Sequence, residues 1–225
     1  MKPLLIAALL LSSIASAQEK NVAQFVIWEP KEGQAQTFEA GYQQHLQWHA
    51  ANNDPWDWYG WYFISGPRSG QFMDATVDHA WHDFDTSLKP AEDGADNKLH
   101  VYPFANLRTV MKLEKVVSYG NNTGLQSRLL RMITLSTTNI NSAIMTASKL
   151  KDQLHTACLY IYKVADGENL NQLILLLAYT TYNEFGKDAA LSEILSKLDT
   201  QTPCGTIQHI TSETLIFRKE MSRLH

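Results

Sequence analysis

The feature that most constrains the fold is the spacing of apolar residues. This spacing switches between the period of a strand and the period of a helix, and it does so in the same order in both halves of the chain. Alternating apolar residues indicate strands, and apolar residues three or four positions apart indicate helices. The first half is predicted to run strand, helix, strand, strand, helix, strand over residues 24–28, 34–50, 56–64, 71–77, 81–88 and 107–117. The second half repeats this order over residues 129–136, 141–154, 158–164, 170–179, 185–198 and 206–218.

The two halves can be laid over each other at a constant offset. Gly66 and Gly167 mark the same hairpin, Phe84 and Phe185 mark the same helix, and both pairs lie 101 positions apart. Between the halves, residues 119–126 are rich in glycine and asparagine, as connectors are. We therefore predict two tandem units, residues 18–118 and 127–225, joined by a linker at residues 119–126.

A β-α-β-β-α-β unit is the ferredoxin-like motif, whose helices cover one face of a four-stranded antiparallel sheet. The strand at residues 56–64 is apolar on both faces, with Trp58, Tyr62 and Ile64 on one side and Tyr59, Trp61 and Phe63 on the other. A strand that is apolar on both faces needs a packing partner on each. The sequence thus predicts an α+β fold in which the two sheets pack together through the faces that the helices leave bare.

In this element order the chain resembles the dimeric α+β barrel superfamily, which includes the NIPSNAP-type proteins and the antibiotic-biosynthesis monooxygenases. The resemblance also rests on an aromatic-x-acidic-Phe sequence in each half, at residues 81–84 and 182–185. It implies a pseudo-dimer of two fused units, with a cleft between helices and sheet that binds apolar or aromatic small molecules. Some members oxidise such molecules without a conventional cofactor, and some hold or degrade haem.

The haem-degrading branch uses an asparagine on the first strand, with a tryptophan and a histidine spread along the second helix. Here the first strand carries Gln24 and Trp28 without an asparagine, and Trp81 and His82 are adjacent. This departure argues against haem degradation, and no cofactor is predicted.

The N-terminus predicts export. An apolar run at residues 4–11 follows Lys2, and small residues at 15–17 precede a polar stretch, which is the pattern of a cleaved signal peptide spanning residues 1–17. The run is well short of the roughly 20 residues of a membrane span. We expect a periplasmic or secreted protein, either a monomer or a homodimer.

The charge pattern argues against two classes of partner. The formal net charge is −4, and no basic run or stripe offers a footprint for nucleic acid or an anionic membrane. Cys158 and Cys204 are the only cysteines. They fall on strands that lie far apart in a ferredoxin-like sheet, so both thiols are predicted to be free.

The first half is where a ligand is expected. It contains all six tryptophans and five of the eight histidines, whereas the second half is aliphatic at the matching positions. Ligand pockets are mostly apolar with a few convergent polar groups. The predicted ligand-binding residues are Trp28, His45, His49, Trp58, Trp61, Trp81 and His82.

His45 and His49 lie four positions apart on the first predicted helix, so they share one face. Three interpretations remain open: hydrogen-bonded histidines at the helix border, walls of a ligand pocket, or metal ligands. Because Leu46 follows His45, the His-Glu-x-x-His pattern is absent, and no metal site is predicted.

Residues 78–83 place His79, His82 and Asp83 where a strand meets a helix. A histidine held by a carboxylate could act as a general base there, and the alternative is a helix cap with exposed histidines. The acidic segment at residues 90–98 is interpreted as a solvated loop.

Two functions from different classes follow. The chain is predicted to bind an apolar or aromatic small molecule in the cleft of the first unit. The alternative is a cofactor-independent monooxygenase-like enzyme in which a histidine transfers a proton, and no complete catalytic constellation decides between them.

Overall fold

The computed structural model describes residues 19–202 and 205–225. The predicted signal peptide and Cys204 lie outside the described residues. The strands are β1 (Val22–Pro30), β2 (Tyr59–Phe63), β3 (Phe72–His79), β4 (Ala105–Tyr119), β5 (Leu129–Thr137), β6 (Leu159–Asp166), β7 (Gln172–Tyr179) and β8 (Ile207–Phe217). The α-helices are α1 (Ala35–Ala51), α2 (Pro90–His100), α3 (Ile140–Ser148), α4 (Tyr182–Lys187) and α5 (Leu191–Thr200). Within these described ranges, every helix is too short or too polar to cross a membrane.

The strands form one closed antiparallel barrel in the order β1-β3-β2-β8-β5-β7-β6-β4, with β4 hydrogen-bonded back to β1. The first four strands and the last four each follow the same local order. The two sets join through the pairs β2 with β8 and β4 with β6. The predicted α+β class is confirmed, and the strands form one large antiparallel sheet.

The barrel interior is filled by side chains. Tyr59, Trp61 and Phe63 point inward from β2, whereas Trp58 and Tyr62 pack on the outside, as their alternation predicts. Trp61 is fully buried, and its indole N–H donates to the carbonyl oxygen of Leu125 at 3.0 Å. The interior around Trp61 is therefore a packed core.

Helices cover the outer surface of the barrel. In the second half, α3 and α5 pack their leucine and alanine side chains on the sheet. In the first half, α1 packs through Phe38, Tyr42 and Leu46 against residues that include Phe72. None of the side chains of α2 is buried, so this helix is attached mainly through polar contacts.

The helix α2 corrects the interpretation of residues 90–98 as a solvated loop. The segment lacks an apolar stripe, and for that reason the hydrophobic period fails to reveal it. Other signals are present: Pro90 occupies the first turn, Glu92 and Asp93 add negative charge there, and Lys98 and His100 lie in the last turn. These residues stabilise a helix through its termini and its dipole.

Two further helix predictions need correction. Residues 81–88, predicted as a short helix, form a 3₁₀-helix at Trp81–Thr86. The helix predicted over residues 185–198 is two helices, α4 and α5, which are separated by a turn at residues 188–190.

Candidate functional site

The candidate site is a cleft between α1, α2 and the outer face of the first-half strands. It consists of two adjoining chambers that share Gln24, His49, Trp58 and Asp93 in their walls. The inner chamber has a volume of about 110 Å³ and is also lined by Trp28, Tyr42, His45, Asp74 and Asn97. The outer chamber has a volume of about 450 Å³ and is also lined by Asp54, Trp56, Trp81, Phe84 and Lys112.

Two imidazoles meet a carboxylate at the boundary of the chambers. His45 and His49 project from successive turns of α1, and their Nε2 atoms lie 3.1 Å apart. Oδ1 of Asp93, from α2, lies 3.3 Å from Nε2 of His45 and 3.8 Å from Nε2 of His49. These three atoms form a compact group of possible metal ligands.

The other ring nitrogen of each histidine faces a second carboxylate. Nδ1 of His45 lies 2.8 Å from Oδ2 of Asp96. Nδ1 of His49 lies 2.7 Å from Oδ2 of Asp54, with the oxygen off the axis of the ring N–H. Carboxylates at these positions favour the tautomer that carries its proton on Nδ1. Both Nε2 lone pairs are thereby directed toward the same point.

The electrostatics of this cluster reflect its burial. Burial lowers the pKa of His45, although Asp96 and Asp93 oppose the effect. Burial also raises the pKa of Asp93. For Asp54, burial is outweighed by the close contact with His49 and by hydrogen bonds from Trp58 and Trp56, so its pKa is lowered and it stays ionised. Asp54 is therefore ionised, whereas burial disfavours the charged forms of His45 and Asp93.

Asp74 forms part of the inner chamber wall. It lies on β3, is only 4% exposed, and accepts a hydrogen bond from Nε1 of Trp28 at 2.6 Å. Burial raises the pKa of Asp74 to about 7, against hydrogen bonds from Trp28 and Tyr42 that lower it. A carboxyl group in this state is a candidate general acid or base near neutral pH.

The outer chamber is lined by aromatic rings, by the carboxylates of Asp54, Asp85 and Asp93, and by the ammonium group of Lys112. The rings of Trp56 and Trp58 lie 6.1 Å apart. The ammonium group of Lys112 lies 3.9 Å from the centre of the Phe84 ring and 2.7 Å from Oε1 of Gln24, and burial lowers the Lys112 pKa. Trp81 is fixed by an indole N–H bond to Glu114 at 3.0 Å. The aromatic rings of this wall suit a flat, ring-shaped ligand.

The structure brings together Trp28, His45, His49, Trp58 and Trp81 among the sequence-predicted site residues. Trp61 lies inside the barrel, on the opposite face of β2, because its side chain points inward together with those of Tyr59 and Phe63. The prediction of Trp61 as a cleft residue is therefore wrong.

The cluster at residues 78–83 lies beside the outer chamber. His79 is buried, hydrogen-bonded to Thr76, and packed 4.1 Å from the Trp56 ring. Its Nδ1 lies 3.9 Å from Oδ2 of Asp83, and that oxygen accepts the backbone N–H of Ala80 at 2.9 Å. The side chain of His82 is 65% exposed. His79 supports the wall through Trp56, and the residues that line the chambers do not include His79, His82 or Asp83.

Sequence reasoning missed several polar residues in and behind the cleft wall, among them Asp54, Asp74, Asp93, Asp96 and Asn97. Asp74 had a signal, since it is an acidic residue in the middle of an otherwise apolar strand. The other four lie in a loop and in α2, and their contacts with His45 and His49 depend on how those segments pack.

No protein-family model and no curated protein matches this sequence. Solved structures of similar fold include a candidate monooxygenase from Lactobacillus acidophilus NCFM, at 10% identity and a TM-score of 0.59 over 88% of this chain and 94% of that chain. An anthrone oxidase-like protein matches at 9% identity and a TM-score of 0.58, over 91% of this chain and 93% of that chain. A heme-binding protein from Thermus thermophilus matches at 9% identity and a TM-score of 0.51, over 90% of this chain and 92% of that chain. Identities this low show a shared fold alone.

Proposed function

We propose that the cleft binds an aromatic small molecule and that the carboxylate of Asp74 takes a proton from it. The observation that carries this proposal is the position of Asp74: a buried carboxyl group in the inner chamber, held by the indole of Trp28, next to an outer chamber walled by tryptophans. Under this proposal the protein is an enzyme that uses acid–base catalysis, and its substrate is an aromatic small molecule that packs against the tryptophans of the outer chamber.

The chemistry needs a base that is partly ionised near neutral pH and a means of tolerating the anion that forms. A pKa of about 7 meets the first need, because the group can both accept and return a proton. Lys112 supports the second, since it places a positive charge on the wall of the adjoining chamber.

The fold neighbours favour one reaction class for the resulting carbanion. One is described as anthrone oxidase-like and another as a candidate monooxygenase. The anthrone anion and dioxygen give the quinone and hydroxide, and return of the proton held by Asp74 converts the hydroxide to water, so that every atom and charge is accounted for. Oxidation of an acidic aromatic substrate is therefore our second candidate function.

Haem is a poorer fit to the cleft. An axial histidine would need one ring nitrogen directed into a space that accepts a porphyrin. Among the described residues of the cleft, His45 and His49 direct Nε2 at each other and Nδ1 at carboxylates. No step of the proposed reaction involves haem.

We further propose that residues 18–118 and 127–225 are tandem ferredoxin-like units that close as a pseudo-dimer, as in the antibiotic-biosynthesis monooxygenases, and that the protein is exported. The identical strand order in the two halves of the barrel supports the first proposal. The apolar run and small residues at the N-terminus support the second.

Anthrone is a suitable probe, because its methylene protons are acidic and flanked by aromatic rings. Exchange of these protons in D₂O, followed by NMR without oxygen, should be faster with the protein than in buffer. Asp74→Asn should lower the enzymatic exchange rate by roughly 100-fold or more. The matched control, Asp152→Asn, changes an exposed carboxylate in the second half and should exchange like the wild type.

Two outcomes would contradict the proposal. Equal exchange rates for Asp74→Asn and the wild type would remove Asp74 from the chemistry. Quenching of tryptophan fluorescence by anthrone, without any exchange, would leave a binding protein that performs no proton transfer.

A further inference from the structure

We propose that His45, His49 and Asp93 form a binding site for one divalent transition-metal ion, which links α1 to α2 at the boundary of the two chambers. The sequence predicted no metal, and the site does not depend on the proton transfer proposed above. Its basis is the geometry of three side chains and of the carboxylates behind them.

The three donor atoms are spaced as ligands of a single ion. Nε2 of His45, Nε2 of His49 and Oδ1 of Asp93 are separated by 3.1, 3.3 and 3.8 Å. The point equidistant from them lies about 2.0 Å from each, which is the length of a zinc bond to imidazole or carboxylate. The three atoms are thus close enough together to share one ion, although the amide of Asn97, which donates to two of them, would have to turn away.

The positions of the imidazole protons leave the space between His45, His49 and Asp93 with acceptor atoms on each side, and a cation there would satisfy them. Asp96 and Asp54 attract the protons of both imidazoles to Nδ1. The two Nε2 lone pairs then face each other and the oxygen of Asp93, so three acceptors converge. Asn97 relieves only part of this repulsion, by donating to Nε2 of His45 at 3.1 Å and to Oδ1 of Asp93 at 3.2 Å. A metal ion would satisfy all three acceptors at once.

The surrounding carboxylates also resemble the supporting shell of a metal centre. A histidine that binds a metal usually gives its other ring N–H to a carboxylate or a carbonyl, which orients the ring and makes it a stronger ligand. His45 has Asp96 in this position and His49 has Asp54. Asp54 is itself held by the indole N–H of Trp58 at 2.8 Å and the backbone N–H of Trp56 at 3.0 Å.

The types of ligand indicate which ions can bind at this site. The position of the site indicates that the ion would lie beside the bound small molecule. Two imidazoles and one carboxylate suit zinc, iron, manganese or cobalt in the divalent state, whereas calcium and magnesium prefer oxygen ligands. Both His49 and Asp93 line the inner and the outer chamber. Three protein ligands leave further coordination positions, and these would face the space assigned to the small molecule.

Zn²⁺ alone is the probe for the test. The full chain, freed of metal with a chelator, should bind one Zn²⁺ per molecule in isothermal titration calorimetry, and its thermal midpoint should rise because binding stabilises the folded state. His49→Ala and Asp93→Asn should abolish this binding. Asp96→Asn keeps all three ligands and should weaken affinity by roughly 10- to 100-fold.

His209→Ala is the control, since His209 is exposed on β8 in the other half of the barrel; it should bind like the wild type. Should His49→Ala fail to fold, Asp93→Asn decides, because α2 contributes no buried side chain. Absence of stoichiometric Zn²⁺ binding, or binding unchanged in Asp93→Asn, would overturn the site and leave a proton shared by two histidines. Proton exchange of anthrone in the presence of chelator tests Asp74 separately, so either proposal can fail without the other.

Discussion

Asp74 links folding stability to pH, because its pKa differs between the folded and unfolded chain. The folded value is about 7 and the ordinary value is 3.8, so between these pH values the folded protein holds a proton that the unfolded chain has released. The stability that this group contributes is complete below about pH 4 and is lost as the pH rises through 7. The upper limit of the loss is about 4 kcal/mol.

The variant Asp74→Asn cannot ionise and should escape this loss. Its free energy of unfolding relative to wild type should increase steadily between about pH 4 and pH 7, measured by urea denaturation at several pH values. Asp152→Asn, at an exposed position, should follow the wild type throughout. A difference between Asp74→Asn and wild type that stays constant over this range would mean that Asp74 titrates normally.

Trp28 tunes the same carboxyl group. Its indole N–H stabilises the ionised form of Asp74, so Trp28→Phe should move the pKa of Asp74 above its present value of about 7. The pH midpoint of anthrone proton exchange should then shift upward. An unchanged midpoint would show that this hydrogen bond has no influence on the base.

The contact between α1 and α2 depends on a glycine. A Cβ atom built on Gly41 would lie 1.9 Å from the carbonyl oxygen of His100, at the end of α2. Gly41→Ala must therefore push the two helices apart, and we expect a loss of about 1–3 kcal/mol in the free energy of unfolding. Zn²⁺ affinity should fall with it, because the ligands lie on both helices.

Gly94→Ala, on α2, should give the opposite result to Gly41→Ala on α1. No atom lies within 4 Å of a Cβ at Gly94, so alanine there should stabilise α2 by roughly 0.5–1 kcal/mol. Chemical denaturation of both variants tests the contact. Equal effects of the two substitutions would show that the helices do not meet closely at Gly41.

The elements that sequence reasoning located are those whose hydrophobic pattern is local. The alternation at residues 58–63 correctly separates the inward side chains of β2 from the outward ones. The stripe of Phe38 and Tyr42 correctly identifies the packed face of α1. By contrast α2 has no such stripe, so its three contributions to the cleft, Asp93, Asp96 and Asn97, could not be recognised. The pairing of Asp96 with His45 spans 51 residues and arises only from tertiary packing.

The barrel interior carries much of the stability of the molecule. Trp61→Ala would remove a fully buried indole and its bond to Leu125, with an expected loss of about 3–5 kcal/mol. Since Trp61 lies on the far side of the sheet from the cleft, the fraction that stays folded should still bind Zn²⁺. Loss of Zn²⁺ binding by folded Trp61→Ala protein would mean that the interior and the cleft are coupled.

Closure of the strands into a ring has a consequence for self-association. An open sheet ends in a strand whose backbone groups lack partners and can template the addition of another chain. In the described part of this chain, each strand of the ring has a hydrogen-bonded neighbour on both sides. The described strands therefore offer no edge that is unpaired along its whole length, and they should resist fibril growth as long as the ring stays intact.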